Sequence, residues 1–129
     1  MCGLLGFSGT KNYDIDKIKI LFMYNEERGS DSTGFYNPEQ GVQKSVNRSS
    51  TFIYKNKIKK SNLFIGHCRK SSMGLIKESN AHPFEIDNII GAHNGQIKNY
   101  LDILPYEERN YYNIDIDSQA LFYLLSKYK

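Results

Sequence analysis

The segment Met1-Cys2-Gly3-Leu4-Leu5-Gly6-Phe7, which is followed by Ser8-Gly9, decides the fold of this chain. Its short apolar run and the Ser-Gly pair after it predict a buried β-strand that ends in a turn. Cys2 stands at the start of that strand. Free cysteines are often small buried residues, but a cut after Met1 would put an α-amino group on the same residue as the thiol. That amine would give the thiol a general base without a histidine partner.

The composition of the whole chain is that of a folded domain. The chain has 129 residues, of which 40% are hydrophobic, 24% charged and 13% aromatic, values typical of globular proteins. No apolar run reaches the ~18 residues of a membrane helix, and no secretory signal pattern opens the chain. We therefore expect a single cytoplasmic domain over residues 1–129, without membrane contact and with Cys2 and Cys68 as free thiols.

The charge pattern argues against nucleic acid as a partner. The formal net charge is +3, and much of the excess lies in the run from Lys55 to Lys60. Such a run can contact phosphates, but a short one is more often a solvated surface. No nucleic-acid motif accompanies it.

A metal site is the second class that the sequence disfavours. His67, Cys68, His82 and His93 offer ligand atoms. However, adjacent residues of a strand point to opposite faces, so His67 and Cys68 do not easily share one ion. No pair has the usual zinc-ligand spacing, and we expect neither a metal nor a cofactor.

The first half of the chain predicts a helix and a hairpin around the opening strand. Asp14 is a suitable N-cap for a helix over about residues 15–27, ended by Arg28-Gly29. The apolar face of that helix is expected to hold Ile15, Ile18, Leu21 and Phe22. Residues 35–45 predict a hairpin whose turn begins at Asn37-Pro38. Ser50 or Thr51 would begin a short helix that carries the lysines.

The second half predicts two more buried strands and a last helix. Apolar runs over 63–68 and 89–93 predict the strands, and residues 70–87 between them form a long loop, of the kind that is usually functional. A helical turn over 99–104 is closed by Pro105. Asp117 or Ser118 begins the last helix, with Ala120, Leu121, Leu124 and Leu125 on its apolar face. Strands and helices without regular alternation favour an α+β fold with a mostly antiparallel sheet.

Polar residues follow several of these elements, and each can be explained either by a functional role or by an ordinary structural one. Arg69 at a strand end suits bidentate binding of a carboxylate, or a surface ion pair. Asn94 and Gly95 offer two N–H donors of the kind that an oxyanion hole requires, or a simple Asn-Gly turn. His82 is interpreted as a structural hydrogen-bonding residue rather than an acid or base.

Taken in order, these segments resemble the class II glutamine amidotransferase domain of the N-terminal nucleophile hydrolases, over residues 2–118. The closest similarity is to the glutaminase half of the glucosamine-6-phosphate synthases. The matching segments are Met1-Cys2-Gly3, Arg28-Gly29-Ser30-Asp31-Ser32-Thr33-Gly34, Gly66-His67-Cys68-Arg69 with Ser72 and Gly74, Asn80-Ala81-His82-Pro83, His93-Asn94-Gly95-Gln96-Ile97-Lys98-Asn99, and Asp117-Ser118. The resemblance implies an αββα sandwich of two antiparallel sheets.

The resemblance also implies a role for each matching residue. Cys2, once Met1 is removed, would attack the side-chain amide of L-glutamine, and its α-amino group would carry the proton to departing ammonia. Asn94 and the N–H of Gly95 would hold the oxyanion. The remaining implied roles are Arg69 with Ser72 on the α-carboxylate, Asp117 on the α-ammonium, and Arg28, His82 and His93 in support.

The chain departs from this family in two ways. It ends after the helix that follows Asp117, so the C-terminal half of the family domain is expected to be missing. Lys70 and Met73 stand where the closest relatives carry an aromatic residue and, in many cases, a histidine. We therefore expect a homo-oligomer or a partner subunit that carries the ammonia acceptor site. The alternative is a catalytically inactive interaction or regulatory protein on the same scaffold.

Overall fold

Four strands form an antiparallel sheet around the segment that opens the chain. The computed structural model describes residues 1–128, and the strands are β1 (Gly3–Ser8), β2 (Ser32–Asn37), β3 (Gly41–Ser45) and β4 (Leu63–Arg69). Their order is β1-β4-β2-β3. Gly3 of β1 lies opposite Cys68 of β4. The start of β1 therefore meets the end of β4, which places Cys2 beside the loop that begins at Lys70.

Two helices cover one face of this sheet, α1 (Ile15–Glu26) and α2 (Ser49–Lys55). The carboxylate of Asp14 caps α1 as predicted, since it accepts the backbone N–H groups of Asp16 and Lys17 at 2.9 and 3.3 Å. Phe22 is fully buried over Gly66, where a Cβ would come within 2.8 Å of the phenyl ring. The buried residues of this core are Leu5, Tyr13, Ile18, Phe22, Phe35, Phe52, Ile58, Phe64 and Cys68.

A second layer lies on the other face of the sheet. Strands β5 (Phe84–Ile86) and β6 (Ile89–Gly91) pair antiparallel, and α3 (Tyr100–Ile103) and α4 (Tyr106–Tyr111) lead to α5 (Asp117–Lys127). The ring of Phe122 occupies the space that a side chain at position 91 would need, so α5 packs closely on β6. The carbonyl of His82 lies directly over Gly34 of β2, and this contact joins the second layer to the sheet.

The predicted mixture of helices and antiparallel strands is confirmed, and the loop prediction needs revision. Residues 70–87 contain a 3₁₀ turn (Glu78–Asn80) and the whole of β5. The helix α4 was not predicted. The short helix α2 carries only Lys55, and the other lysines of the run follow it. No helix within residues 1–128 is long and apolar enough to cross a membrane.

Two predicted helix faces are partly wrong. Leu21 of α1 is 44% exposed, because α1 approaches the sheet along the narrow line of Ile18 and Phe22. Leu125 of α5 is 47% exposed. The helix α5 is covered from two sides instead: Phe122 packs against Phe84 and Ile116, and Ala120 and Tyr123 pack against Leu104. Leu121 and Leu124 pack against these clusters as predicted, so Leu125 is the misplaced member of the face.

Candidate active site

Cys2 lies at the edge of a cleft between the start of β1 and the loop after β4. Its Sγ accepts the backbone N–H of Lys70 at 3.2 Å and lies 3.4 Å from the carbonyl oxygen of the same residue. The cleft has a volume of about 500 Å³, and we call it the nucleophile cleft. Its lining residues are Met1, Cys2, Arg28, Lys70, Ser72, Asn94, Gly95 and Gln96.

The backbone carbonyl of Cys2 is the point where three distant segments meet. Asn94, which follows β6, donates from Nδ2 to this oxygen at 2.9 Å. Arg28, which follows α1, donates from Nε at 3.2 Å. A side-chain amide has two N–H donors, so Asn94 keeps one for another acceptor in the cleft. The structure thus brings together three of the residues that the sequence analysis singled out.

Asn94 is itself held by His67 of β4. His67 Nε2 lies 2.9 Å from Asn94 Oδ1. The imidazole is fully buried, and burial lowers the pKa of His67 to about 4, although the bond to Asn94 acts in the opposite direction. The ring is therefore neutral near pH 7. Because an amide oxygen can only accept, His67 donates its Nε2 proton to Asn94.

His82 stacks on His67 and does not make the hydrogen bonds expected of it. The two ring centroids are 4.2 Å apart with 27° between the planes. Within residues 1–128, neither ring nitrogen of His82 has a hydrogen-bond partner. Burial lowers the pKa of His82 to about 2, and His67 and Arg69 nearby add to the effect. The expectation of structural hydrogen bonding is thus wrong, and the imidazole acts as a flat apolar surface.

Gly95 is required by the approach of His93. A Cβ at position 95 would lie 2.6 Å from His93 Nε2, so only a residue without a side chain fits without a shift of the imidazole. The ring is held on its other side, where Nδ1 lies 3.1 Å from the hydroxyl oxygen of Ser118. His93 thereby ties the Asn94-Gly95 turn to the start of α5.

Arg69 and Asp117 line a second, smaller cavity that also reaches Cys2 and Ser72. Its volume is about 30 Å³, which is room for one or two water molecules. Arg69 is 4% exposed and donates to the carbonyl oxygens of Met73 and Leu75, at 2.5 and 3.5 Å. We call this space the recognition cavity.

Asp117 also has hydrogen-bond partners within the protein backbone. Its Oδ2 accepts the N–H of Ile97 at 2.7 Å and its Oδ1 the N–H of Ser118 at 2.8 Å. A carboxylate offers about four acceptor sites, so Asp117 can still accept a cation. The Ser72 hydroxyl is exposed and makes no hydrogen bond with any residue from 1 to 128. The structure therefore brings Arg69 and Asp117 into one cavity but does not show Ser72 assisting Arg69.

The sequence analysis gave no role to Asp31, which anchors the loop after β4. Asp31 Oδ2 accepts the N–H of Ser71 at 2.8 Å, and its Oδ1 lies 3.3 Å from Lys70 Nζ. The hydrogen bond from Ser71 holds the pKa of Asp31 below its usual value, and Lys70 adds to the shift. The sequence could have pointed to Asp31, since it lies inside the segment from Arg28 to Gly34 that carries the family resemblance.

The second cysteine differs from Cys2 in environment. Cys68 is fully buried on the face of β4 toward Phe22, whereas His67 points to the opposite face. Burial raises the pKa of Cys68 to about 11, so its thiol stays protonated and unreactive. In the part of the chain that the structure describes, no three His, Cys, Asp or Glu side chains are grouped so as to hold a metal ion.

Comparison with known proteins gives a consistent result. The family model described as "Glutamine amidotransferases class-II" matches residues 1–127. A glutamine–fructose-6-phosphate aminotransferase (isomerizing) of Fusobacterium nucleatum is 30% identical over 98% of this chain and 22% of its own length. Proteins of the same name from Buchnera aphidicola and Streptococcus mutans are 32% and 37% identical, over 97% and 80% of this chain and 22% and 18% of theirs. The chain thus spans about a fifth of the length of these relatives.

Proposed function

Because this chain belongs to the class II glutamine amidotransferases, we propose that it hydrolyses the side-chain amide of L-glutamine through Cys2 and supplies the ammonia to an acceptor. The observation that carries this proposal is the convergence on Cys2. Asn94 and Arg28 both donate to its backbone carbonyl oxygen. Its Sγ accepts the backbone N–H of Lys70 at the edge of the nucleophile cleft. A residue used only for packing has no need of that arrangement.

The first half of the reaction releases ammonia. Removal of Met1 frees the α-amino group of Cys2, which takes the thiol proton as Sγ attacks the amide carbon of glutamine. The negative charge on the amide oxygen would be stabilised by the free N–H of Asn94 and the backbone N–H of Gly95. The C–N bond then breaks, the proton passes to the leaving nitrogen, and a γ-glutamyl thioester of Cys2 remains.

The second half regenerates the thiol. Water attacks the thioester carbon and gives its proton to the α-amino group. The C–S bond breaks, the proton returns to sulfur, and glutamate leaves. The same two N–H donors serve both tetrahedral intermediates, since the oxygen that becomes negative is the same atom.

The recognition cavity would hold the α-carbon end of glutamine. A zwitterion needs a cation and an anion at fixed separation, and Arg69 and Asp117 line one cavity beside Cys2. Arg69 uses two of its five N–H donors on the carbonyl oxygens of Met73 and Leu75, and the others would bind the α-carboxylate of the substrate. Ser72 would join that carboxylate only after the loop over 70–76 has moved.

The wider architecture and the acceptor belong to the same proposal. Helices α1 and α2 lie on one face of the four-stranded sheet, and the β5–β6 pair with α5 lies on the other, an arrangement that supports the αββα sandwich of the N-terminal nucleophile hydrolases. Since the matched region is about a fifth of the relatives, we expect the acceptor to bind outside residues 1–128, on a partner subunit or another copy.

One observation favours the alternative, an inactive interaction or regulatory protein. The recognition cavity holds only about 30 Å³, and both of its charged residues already have backbone partners. In an inactive protein these contacts would be permanent and glutamine would not enter.

Mass spectrometry separates the two functions. The intact mass reports whether Met1 is removed, and a diazoketone analogue of glutamine should then add once, at Cys2, with glutamate and ammonia released from glutamine itself. Cys2→Ala should abolish labelling and turnover, whereas Cys68→Ala should keep both. Retention of Met1, labelling of Cys68, or the absence of glutamate release would refute the enzyme proposal.

A further inference from the structure

We infer that His67 is the positioning residue that orients the Asn94 amide toward Cys2. This inference rests on the proposed glutaminase function, because orientation of Asn94 matters to catalysis only if its second N–H meets an oxyanion. His67 itself lies behind Asn94: its Nε2 is 2.9 Å from Asn94 Oδ1, and Asn94 Nδ2 is 2.9 Å from the Cys2 carbonyl oxygen.

The need for a positioning residue follows from the symmetry of an amide. A half-turn of the Asn94 side-chain amide exchanges its oxygen and its NH₂ with little change in shape. The exchanged orientation would put Oδ1 against the carbonyl oxygen of Cys2 and remove the Asn94 donor from the cleft. A donor behind Oδ1 prevents that rotation. Of the residues from 1 to 128, His67 is the one that contacts Oδ1 in this way.

The imidazole of His67 is in turn held in place by a stacked neighbour. His82 stacks on it, and His82 is fixed by Lys44 of β3, whose ammonium donates to the carbonyl oxygens of Ala81 and Pro83 at 3.0 and 3.5 Å. Gly34, opposite His67 in the register of β2 and β4, leaves the space for this segment. A rigid sheet thus supports the donor that fixes Asn94.

A pair of substitutions at position 67 tests this role. His67→Leu keeps apolar bulk and removes the donor, and we expect kcat for glutamine hydrolysis to fall about 10- to 100-fold, less than the roughly 10²- to 10³-fold loss that follows deletion of an oxyanion donor. KM should change less than about twofold, because His67 does not face the recognition cavity. His67→Gln, whose amide nitrogen reaches the position of Nε2, should restore most of kcat.

The side-chain amide signals of Asn94 in ¹⁵N–¹H spectra give a second measurement that needs no activity. In folded His67→Leu protein, their chemical shifts should change and the amide protons should exchange faster with solvent. In His67→Gln the signals should stay near their wild-type positions. Loss of the signals in Asn94→Asp assigns them. If His67→Leu does not fold, His67→Asn replaces it, since its shorter amide cannot reach Oδ1.

The outcomes separate this inference from the proposed function. If glutamine is hydrolysed but the donor-free variant keeps kcat and the Asn94 signals, the positioning role is refuted and the glutaminase stands. If wild-type protein releases no glutamate, the glutaminase fails. The Asn94 signals then still decide whether His67 orients the amide, because unchanged signals in the folded donor-free variant would overturn that claim.

Discussion

Around Cys2 the polar groups converge on the residue that carries the proposed nucleophile, whereas around Arg69 groups of the same kind face carbonyl oxygens of the neighbouring loop. Asn94 and Arg28 donate to the Cys2 carbonyl beside a cleft of about 500 Å³. Arg69 donates to Met73 and Leu75 beside a cavity of about 30 Å³. The contacts of the first region are braced by strand β4 through His67, and those of the second end on the loop that follows β4.

This difference has a physical origin. The donors near Cys2 are supported by β4 through His67, and a sheet strand cannot shift without breaking its ladder. The acceptors of Arg69 are carbonyls of Met73 and Leu75 in the loop that follows β4, so they can move away together. We therefore expect substitutions near Cys2 to change kcat and substitutions near Arg69 to change KM.

The largest expected effect is at Asn94. Asn94→Ala removes the donor that we propose for the oxyanion, and such deletions cost about 10²- to 10³-fold in kcat. KM should be little changed. Steady-state kinetics of glutamate release measure both, and Asn110→Ala, on the exposed surface of α4, is a matched control. A rise in KM with unchanged kcat would show that Asn94 contributes to substrate binding and not to the chemical step. The contrast between the regions around Cys2 and Arg69 would then not hold.

The next effect is at Arg69. Lysine keeps the charge but loses the planar fork that binds a carboxylate through two parallel bonds. Charge-assisted bonds of this kind are worth about 1.5–3 kcal/mol, so Arg69→Lys should raise KM for glutamine about 10- to 100-fold with a smaller change in kcat. Arg48→Lys, on a 62% exposed side chain, is the control. An unaltered KM would place the α-carboxylate elsewhere.

Lowering the pH should destabilise the fold through the histidines behind Cys2. An unfolded histidine binds a proton below about pH 6.5, but His67 resists protonation until about pH 4 and His82 until about pH 2. Below pH 6.5 unfolding therefore takes up protons, and stability falls as pH falls. Burial is the first cause of both shifts, and His67, Arg69, His93 and Lys44 near His82 act in the same direction on the pKa of His82.

Urea unfolding at pH 7 and pH 5 measures this effect. We expect each histidine to contribute about 2 kcal/mol of lost stability between these values. His82→Phe keeps the stacked ring and removes one titrating group, so its stability should fall about half as steeply. Equal stability at the two pH values would mean that the buried pair is not neutral in the folded protein.

Sequence reasoning found most of the elements, although not β5 or α4, and was insufficient for the contacts between them. The apolar runs of β1 and β4 and the Asp14 cap predict their structures locally, because strand period and capping depend on neighbouring residues. The role of His67 depends on Asn94, 27 positions away, and on a histidine that stacks rather than bonds. Leu21 and Leu125 were misplaced for the same reason, since the partner surface decides which side of a helix is covered.

The smallest effect should come from Lys70, which touches both regions. Its backbone N–H contacts Cys2 Sγ, and its ammonium lies 3.3 Å from Asp31 on a side chain that is 58% exposed. Exposed ion pairs contribute about 0–1 kcal/mol, and Lys70→Ala leaves the N–H in place. We therefore expect kcat and KM to change less than about threefold and the urea midpoint to fall only slightly. A loss of kcat as large as that of Asn94→Ala would show that the ammonium itself acts on Cys2, and the boundary between the two regions would then run through Lys70.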